Sequence, residues 1–208
     1  MSGIAEDENL PRHSVIQPFA LLDVQDSCLI VIDVQDHFLG KLDASIANGV
    51  VERIRWIVQV AGSFKIPIIV TAEDIESNGP TTALIRDVLP RNTADLNKVI
   101  FGLAGQPEIL QKVQATGKKT VILVGLETDV CVQHSAFGLA ELGYRVAVVV
   151  DATASPETGH QIGIERIRSA GIATVSCKSL FYEWTRDLAT THRIVREYGL
   201  EPPEGLKL

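Results

Sequence analysis

Short, strand-sized apolar runs recur along this chain, and stretches with helical spacing separate them. Residues 28–34 (CLIVIDV) are rich in β-branched side chains and carry a carboxylate at Asp33, the pattern of a strand buried on both faces. Residues 66–71, 98–101, 120–124, 145–150 and 172–176 supply five further strands. Across residues 45–64, Ile46, Val50, Ile54, Ile57, Val58 and Ala61 fall on one helical face. Helices are also predicted over 81–89, 107–117, 129–142 and 159–170, with Pro107 suited to a first turn and Gly143 to a stop. The chain beyond 176 reads as helical until Pro202 and Pro203. Such alternation predicts an α/β fold: a three-layer doubly wound sheet, mostly parallel, with six strands in the order 3-2-1-4-5-6 and helices on both faces.

With 208 residues, 46% of them hydrophobic, the chain can bury one full core. The expected division is an N-terminal arm over 1–26, one folded domain over 27–200 and a tail over 201–208. A net charge of -7 without Lys/Arg runs gives no footprint for nucleic acid or an acidic membrane surface, so a small-molecule partner is expected. Cys28, Cys131 and Cys177 are odd in number and far apart, which suggests neither a disulfide framework nor a paired-cysteine zinc site. A reducing cytoplasm suits them. The first twenty residues hold no apolar signal core, and no run reaches membrane-spanning length.

Cys131 stands where the fourth strand hands over to a helix. A helix N-terminus carries partial positive charge and unpaired N–H groups, which favour a thiolate and can bind an oxyanion. Cysteine is also a small hydrophobe that is often simply buried, so this placement needs partners. In the predicted strand order, strands one and four flank the point where winding reverses, and ligands bind beyond the strand C-termini there. Asp33, at the end of strand one, and Lys98, read as beginning strand three, then share a crevice with Cys131. Cys131 would attack a carbonyl carbon, Asp33 would shuttle the proton, and Lys98 would hold the pair and favour thiolate. Taken singly, Asp33 also reads as a turn cap and Lys98 as a solvated lysine.

Three motifs, in order, carry a resemblance: Asp33-Val34-Gln35-Asp36-His37-Phe38, then Asn97-Lys98, then Gly125-Leu126-Glu127-Thr128-Asp129-Val130-Cys131-Val132. With Gly143-Tyr144-Arg145-Val146 and Asp151-Ala152-Thr153 behind them, residues 27–184 resemble the isochorismatase-like cysteine hydrolases. The resemblance implies an Asp-Lys-Cys triad at Asp33, Lys98 and Cys131. It also implies a cis peptide joining Leu126 to Glu127, an oxyanion hole from the Glu127 and Cys131 backbone N–H groups, and a homo-oligomer. Nicotinamidase-type members carry an Asp-x-His metal segment after strand two, where this chain reads Thr71-Ala72-Glu73-Asp74. The five histidines form no HExxH or HxH set, so no metal and no other cofactor is expected.

Glu73, just past strand two, is the better pocket candidate, because a carboxylate there favours an amine or amide donor; Phe38 and Phe101 are further cavity-lining candidates. His134, three residues after Cys131, is either a second base or a packing residue. Neither a phosphate loop at Lys118-Lys119 nor a G-x-G-x-x-G after a strand is present. The leading expectation is a metal-independent cysteine hydrolase that cleaves an amide-like or carbamoyl C–N bond through a thioester. Isochorismatase-type hydrolysis without covalent attack is one alternative. A non-catalytic thiol sensor or metabolite-binding protein is another.

Overall fold

The computed structural model describes residues 20–208, so most of the expected N-terminal arm lies outside the described residues. Six strands form one sheet in the order 3-2-1-4-5-6: β1 (Ser27–Ile32), β2 (Ile68–Glu73), β3 (Asp95–Lys98), β4 (Thr120–Leu126), β5 (Arg145–Ala154) and β6 (Ala173–Val175). Each neighbouring pair is parallel. The helices are α1 (Asp36–Leu39), α2 (Ala44–Ser63), α3 (Ile75–Asn78), α4 (Ala83–Arg86), α5 (Pro107–Ala115), α6 (Gln133–Glu141), α7 (Gly159–Ser169), α8 (Cys177–Thr185) and α9 (Leu188–Tyr198).

Alternation of side chains along the strands builds two separate cores. Leu29, Val31, Val70, Ile122, Val124, Ala147 and Val149 point to one face and pack with Ile54 and Ile57 of α2, Phe181 and Trp184 of α8, and Ile194 of α9. Cys28, Ile30, Ile32, Val121, Leu123, Val146 and Val148 point to the other, against α5, α6 and α7. With both faces covered, β1 and β4 are buried at every position, which is why they run apolar from Cys28 to Ile32 and from Val121 to Val124. Fully burying an Ile or Leu in such a layer contributes about 1.5–3 kcal/mol.

Among the strand ends that differ from the sequence reading, those of β3 and β5 shift the most. β3 spans Asp95–Lys98 rather than 98–101, so Lys98 closes the strand instead of opening it. The apolar triplet Val99, Ile100 and Phe101 suggested a strand, yet its members are 68%, 45% and 52% exposed in the following loop. Pairing of Glu73 with Lys98 places both at the C-terminal edge of the sheet. β5 continues past Asp151 to Ala154, with a register shift opposite Leu123 to Gly125. Ser176 caps α8 through a capping box, so Cys177 opens that helix.

At Gly125, φ is +124°, and a Cβ there would overlap the Ile32 backbone of β1. Only glycine allows the two central strands to approach this closely just before the Cys131 loop. Gly125→Ala is therefore expected to lower stability by about 3 kcal/mol, read as a drop in the urea midpoint at unchanged slope. An unshifted midpoint would contradict this packing.

Candidate active site

Asp33, Glu73 and Lys98 lie at the C-terminal ends of three adjacent strands, and Cys131 lies in the turn after a fourth. Asp33 directly follows β1 with φ at +51°, a left-handed conformation that an aspartate tolerates at a cost of about 1–2 kcal/mol. Its N–H donates to the Thr71 carbonyl at 3.0 Å, and its carbonyl accepts from the Gln35 N–H at 2.9 Å, which hold that turn. Cys131 sits in a π-helical turn, Thr128–Val132, that leads into α6. The Val130 and Val132 N–H groups both donate to the Glu127 carbonyl, while Ser135 Oγ donates to the Cys131 carbonyl at 2.6 Å.

Lys98 Nζ is the hub of the cluster. It lies 2.9 Å from Asp33 Oδ2, 3.4 Å from Cys131 Sγ and 3.4 Å from Glu73 Oε2. The Lys98 side chain is 0% exposed and that of Asp33 1%, against 18% for Glu73, so Glu73 alone of the three charges reaches toward solvent. Thr71 Oγ1 donates to Asp33 Oδ1 at 2.8 Å. Asp33 Oδ2, the other carboxylate oxygen, faces the Lys98 ammonium at 2.9 Å and takes its counter-charge there. Cys131 Sγ donates to Glu73 Oε2 at 3.1 Å.

Burial sets the proton affinities in opposing ways. It raises the Asp33 carboxyl above the ordinary carboxylate range, against the Lys98 charge and the Thr71 hydrogen bond, which makes Asp33 a stronger base than a surface aspartate. For Lys98, burial pulls downward, but the Asp33 carboxylate and then the Cys131 sulfur outweigh it, so the net shift is upward and the group stays an ammonium. Burial and the Asp33 charge raise the Cys131 thiol, with Lys98 opposing. These influences favour the neutral thiol, and Glu73 Oε2, 3.1 Å from the sulfur, is placed to accept its hydrogen.

Asp33, Glu73 and Cys131 place ligand-type atoms within 4.8 Å of one another, a set that could bind a cation. The Lys98 ammonium is within 3.4 Å of all three, so the chain's own cation already holds that space. These residues fit an ammonium better than a metal ion.

The remaining sequence candidates are more scattered. Leu126 and Glu127 are joined by a cis peptide bond, and the Glu127 carboxylate lies 3.2 Å from Lys41 Nζ. Phe38 is buried in the α2-side core, with Lys41 Nζ 4.4 Å from its ring. Phe101 is exposed and meets His134 edge-on at 6.0 Å, leaving that histidine on the rim rather than in the cluster. One buried residue was not singled out from the sequence: Gln35. Its Oε1 accepts from the Glu73 N–H at 2.7 Å, and its Nε2 donates to the Glu73 carbonyl at 2.9 Å and to the Gly79 carbonyl at 2.6 Å. An amide two residues past Asp33, where β1 has just ended, was the available signal.

The fold agrees with what comparison shows. The Isochorismatase domain family model matches residues 27–179, and the chain belongs to that family of hydrolases. Isochorismatase family protein 1B of Dictyostelium discoideum is 29% identical over 174 residues, covering 81% of this chain and 82% of that protein. The MAR1 ribonuclease from Caenorhabditis elegans superposes with a TM-score of 0.79 at 25% identity, over 91% of this chain and 98% of that one. The YcaC gene product of Escherichia coli, an octameric hydrolase of unknown specificity, superposes with a TM-score of 0.77 at 23% identity, over 88% and 95%, and shares the fold. Among the described residues, no helix is long and apolar enough to cross a membrane.

Two outcomes follow from the charges. Lys98→Met strands two carboxylates at a mostly dry site and is expected to cost about 3–5 kcal/mol in urea unfolding, with Asp33→Asn in the same chain recovering part of the loss. With its thiol raised by burial and by Asp33, Cys131 in the resting protein should alkylate at a rate that still climbs as pH passes 9.0, the ordinary thiol value. A plateau below that pH would show a preformed thiolate.

Proposed function

We propose that the protein is a metal-independent cysteine hydrolase that cleaves an amide-like or carbamoyl C–N bond of a small molecule through a thioester. The observation that carries this reading is Lys98 Nζ lying 2.9 Å from the Asp33 carboxylate and 3.4 Å from the Cys131 sulfur. Asp33 takes the thiol proton, and Sγ attacks the carbonyl carbon, forming a C–S bond as the carbonyl electrons move to oxygen. Backbone N–H groups of Glu127 and Cys131 receive that oxyanion. The intermediate collapses, the C–N bond breaks, and protonated Asp33 returns its proton to the departing nitrogen. Water, deprotonated by Asp33, then attacks the thioester, releasing the acid and restoring the thiol.

Lys98 keeps its charge throughout. Its task is to hold Asp33 and the sulfur in one field, so that the proton passes between them without a new net charge being buried. The three free cysteines suit a reducing compartment, and the reading places the enzyme in the cytoplasm as a homo-oligomer, as the octameric likeness suggests. One observation favours a rival within the fold: the resting thiol is bonded to Glu73, which fits hydrolysis driven by Asp33 alone.

An ammonia-release screen over primary amides and ureido compounds supplies the substrate, and acid quenching during turnover separates the two readings. The covalent route predicts an acyl mass added at Cys131, and a fall of at least about 10³-fold in kcat for Cys131→Ala. Turnover that survives this substitution would leave Asp33-only hydrolysis. Chelators should leave the rate unchanged.

A further inference from the structure

Glu73 is the one charged group of the cluster that the triad chemistry leaves unemployed, and it is also the one that an incoming molecule meets. Asp33 and Lys98 are closed off, whereas the Glu73 side chain is 18% exposed. Its backbone is fixed from two sides: Gln35 bonds both its N–H and its carbonyl, and Asn78 Nδ2 donates to that carbonyl at 3.1 Å. The carboxylate therefore stands at a set height beside the sulfur, with Oε2 at 3.1 Å from Sγ and 3.4 Å from Lys98 Nζ.

That oxygen already accepts a hydrogen at the place where the scissile group must lie. A carbonyl carbon within attacking reach of Sγ brings its own substituents against Glu73 Oε2. An –NH2 substituent offers a donor in place of the thiol hydrogen, an ester oxygen offers only lone pairs, and a carboxylate adds like charge. The charge count points the same way. Asp33 and Glu73 against Lys98 leave the cluster one negative charge in excess with the thiol neutral, which repels an anionic acyl group.

We propose that Glu73 is the specificity determinant of this site: its carboxylate takes an N–H of a primary carboxamide or carbamoyl –NH2, selecting such groups over esters and carboxylates. The same exchange frees the thiol hydrogen from Glu73 for Asp33, so the arriving –NH2 also unlatches the nucleophile. This deepens the cysteine-hydrolase reading and rests on it.

Three alkylating agents test the selection without a known substrate, because each places a different group on the same iodomethylene: iodoacetamide, methyl iodoacetate and iodoacetate. In each case the Cys131 sulfur forms the S–C bond and iodide leaves. Rates are read by mass spectrometry at Cys131 of the full chain and divided by those of a small free thiol in the same buffer. Cys28 and Cys177 are 0% exposed and report unfolding if they label. The wild type should favour iodoacetamide over each of the other two by about 10- to 100-fold beyond the free thiol. Glu73→Gln, which removes the charge and keeps an acceptor, should cut the preference over iodoacetate by about tenfold and largely retain the preference over the ester. Glu73→Leu should cut both.

Wild-type ratios equal to those of the free thiol would overturn the proposal even if both variants failed to fold, and ratios unchanged in folded variants would do the same. Those results would leave hydrolysis at Cys131 standing. Conversely, an active Cys131→Ala would end the thioester mechanism without altering the labelling ratios.

Discussion

A buried ammonium, Lys98, touching two carboxylates and a sulfur is the contact around which this site is organised. Removing an ion from water costs several kcal/mol even after relaxation, and Lys98 and Asp33 have both been removed almost completely. Neither can be buried alone. Thr71 on β2 supplies Asp33 with a hydrogen bond, and Glu73 at the end of the same strand adds a second counter-charge for Lys98. Loss of Lys98 would leave both carboxylates uncompensated, and loss of Asp33 would leave the ammonium only the partly exposed Glu73, so the charged groups act as one unit.

The sheet makes that unit possible. Parallel strands end at one edge, and the order 3-2-1-4 sets the ends of β3, β2 and β1 beside the turn leaving β4. Four residues separated by up to nearly a hundred positions in sequence thereby meet within a few ångströms. Gly125, with its close approach to Ile32, lets the β4 turn come near enough to β1 for the sulfur to reach the cluster. The two cores on either face keep those strand ends in register.

Strand number, sheet order and the meeting of Asp33, Lys98 and Cys131 could all be read from the letters, because buried parallel strands leave uninterrupted apolar runs and the switch point follows from their order. The end of β3 could not. Val99, Ile100 and Phe101 are apolar enough for a strand, but only tertiary pairing reveals that the ladder stops at Lys98 and leaves them exposed. This displacement matters, since it moves the lysine from the start of a strand to the C-terminal edge of the sheet. Gln35 is hard to read for a different reason: its work is done on the backbone of Glu73, and beyond its place just past β1 such a side chain leaves no mark in charge or periodicity. The Sγ to Glu73 bond depends on side-chain placement and was equally hidden, although Glu73 itself stood out.

The charge arithmetic of the proposed reaction explains why one cation serves a cluster with two acids. In the resting state of that proposal, Asp33 and Glu73 are negative, Lys98 is positive and the thiol is neutral. After the proton has moved, Asp33 is neutral and the sulfur negative, so the net charge is unchanged and Lys98 has merely exchanged one close anion for another. Ionising the thiol to solvent instead would add a second net negative charge in a site with little water and beside Asp33, which is the condition that raises the Cys131 thiol. Internal transfer to Asp33 avoids that cost, and the basicity that burial gives Asp33 works in the same direction. A surface thiol activated by a helix dipole would need none of this machinery, whereas a sulfur this deeply enclosed depends on having its base and its counter-charge buried with it.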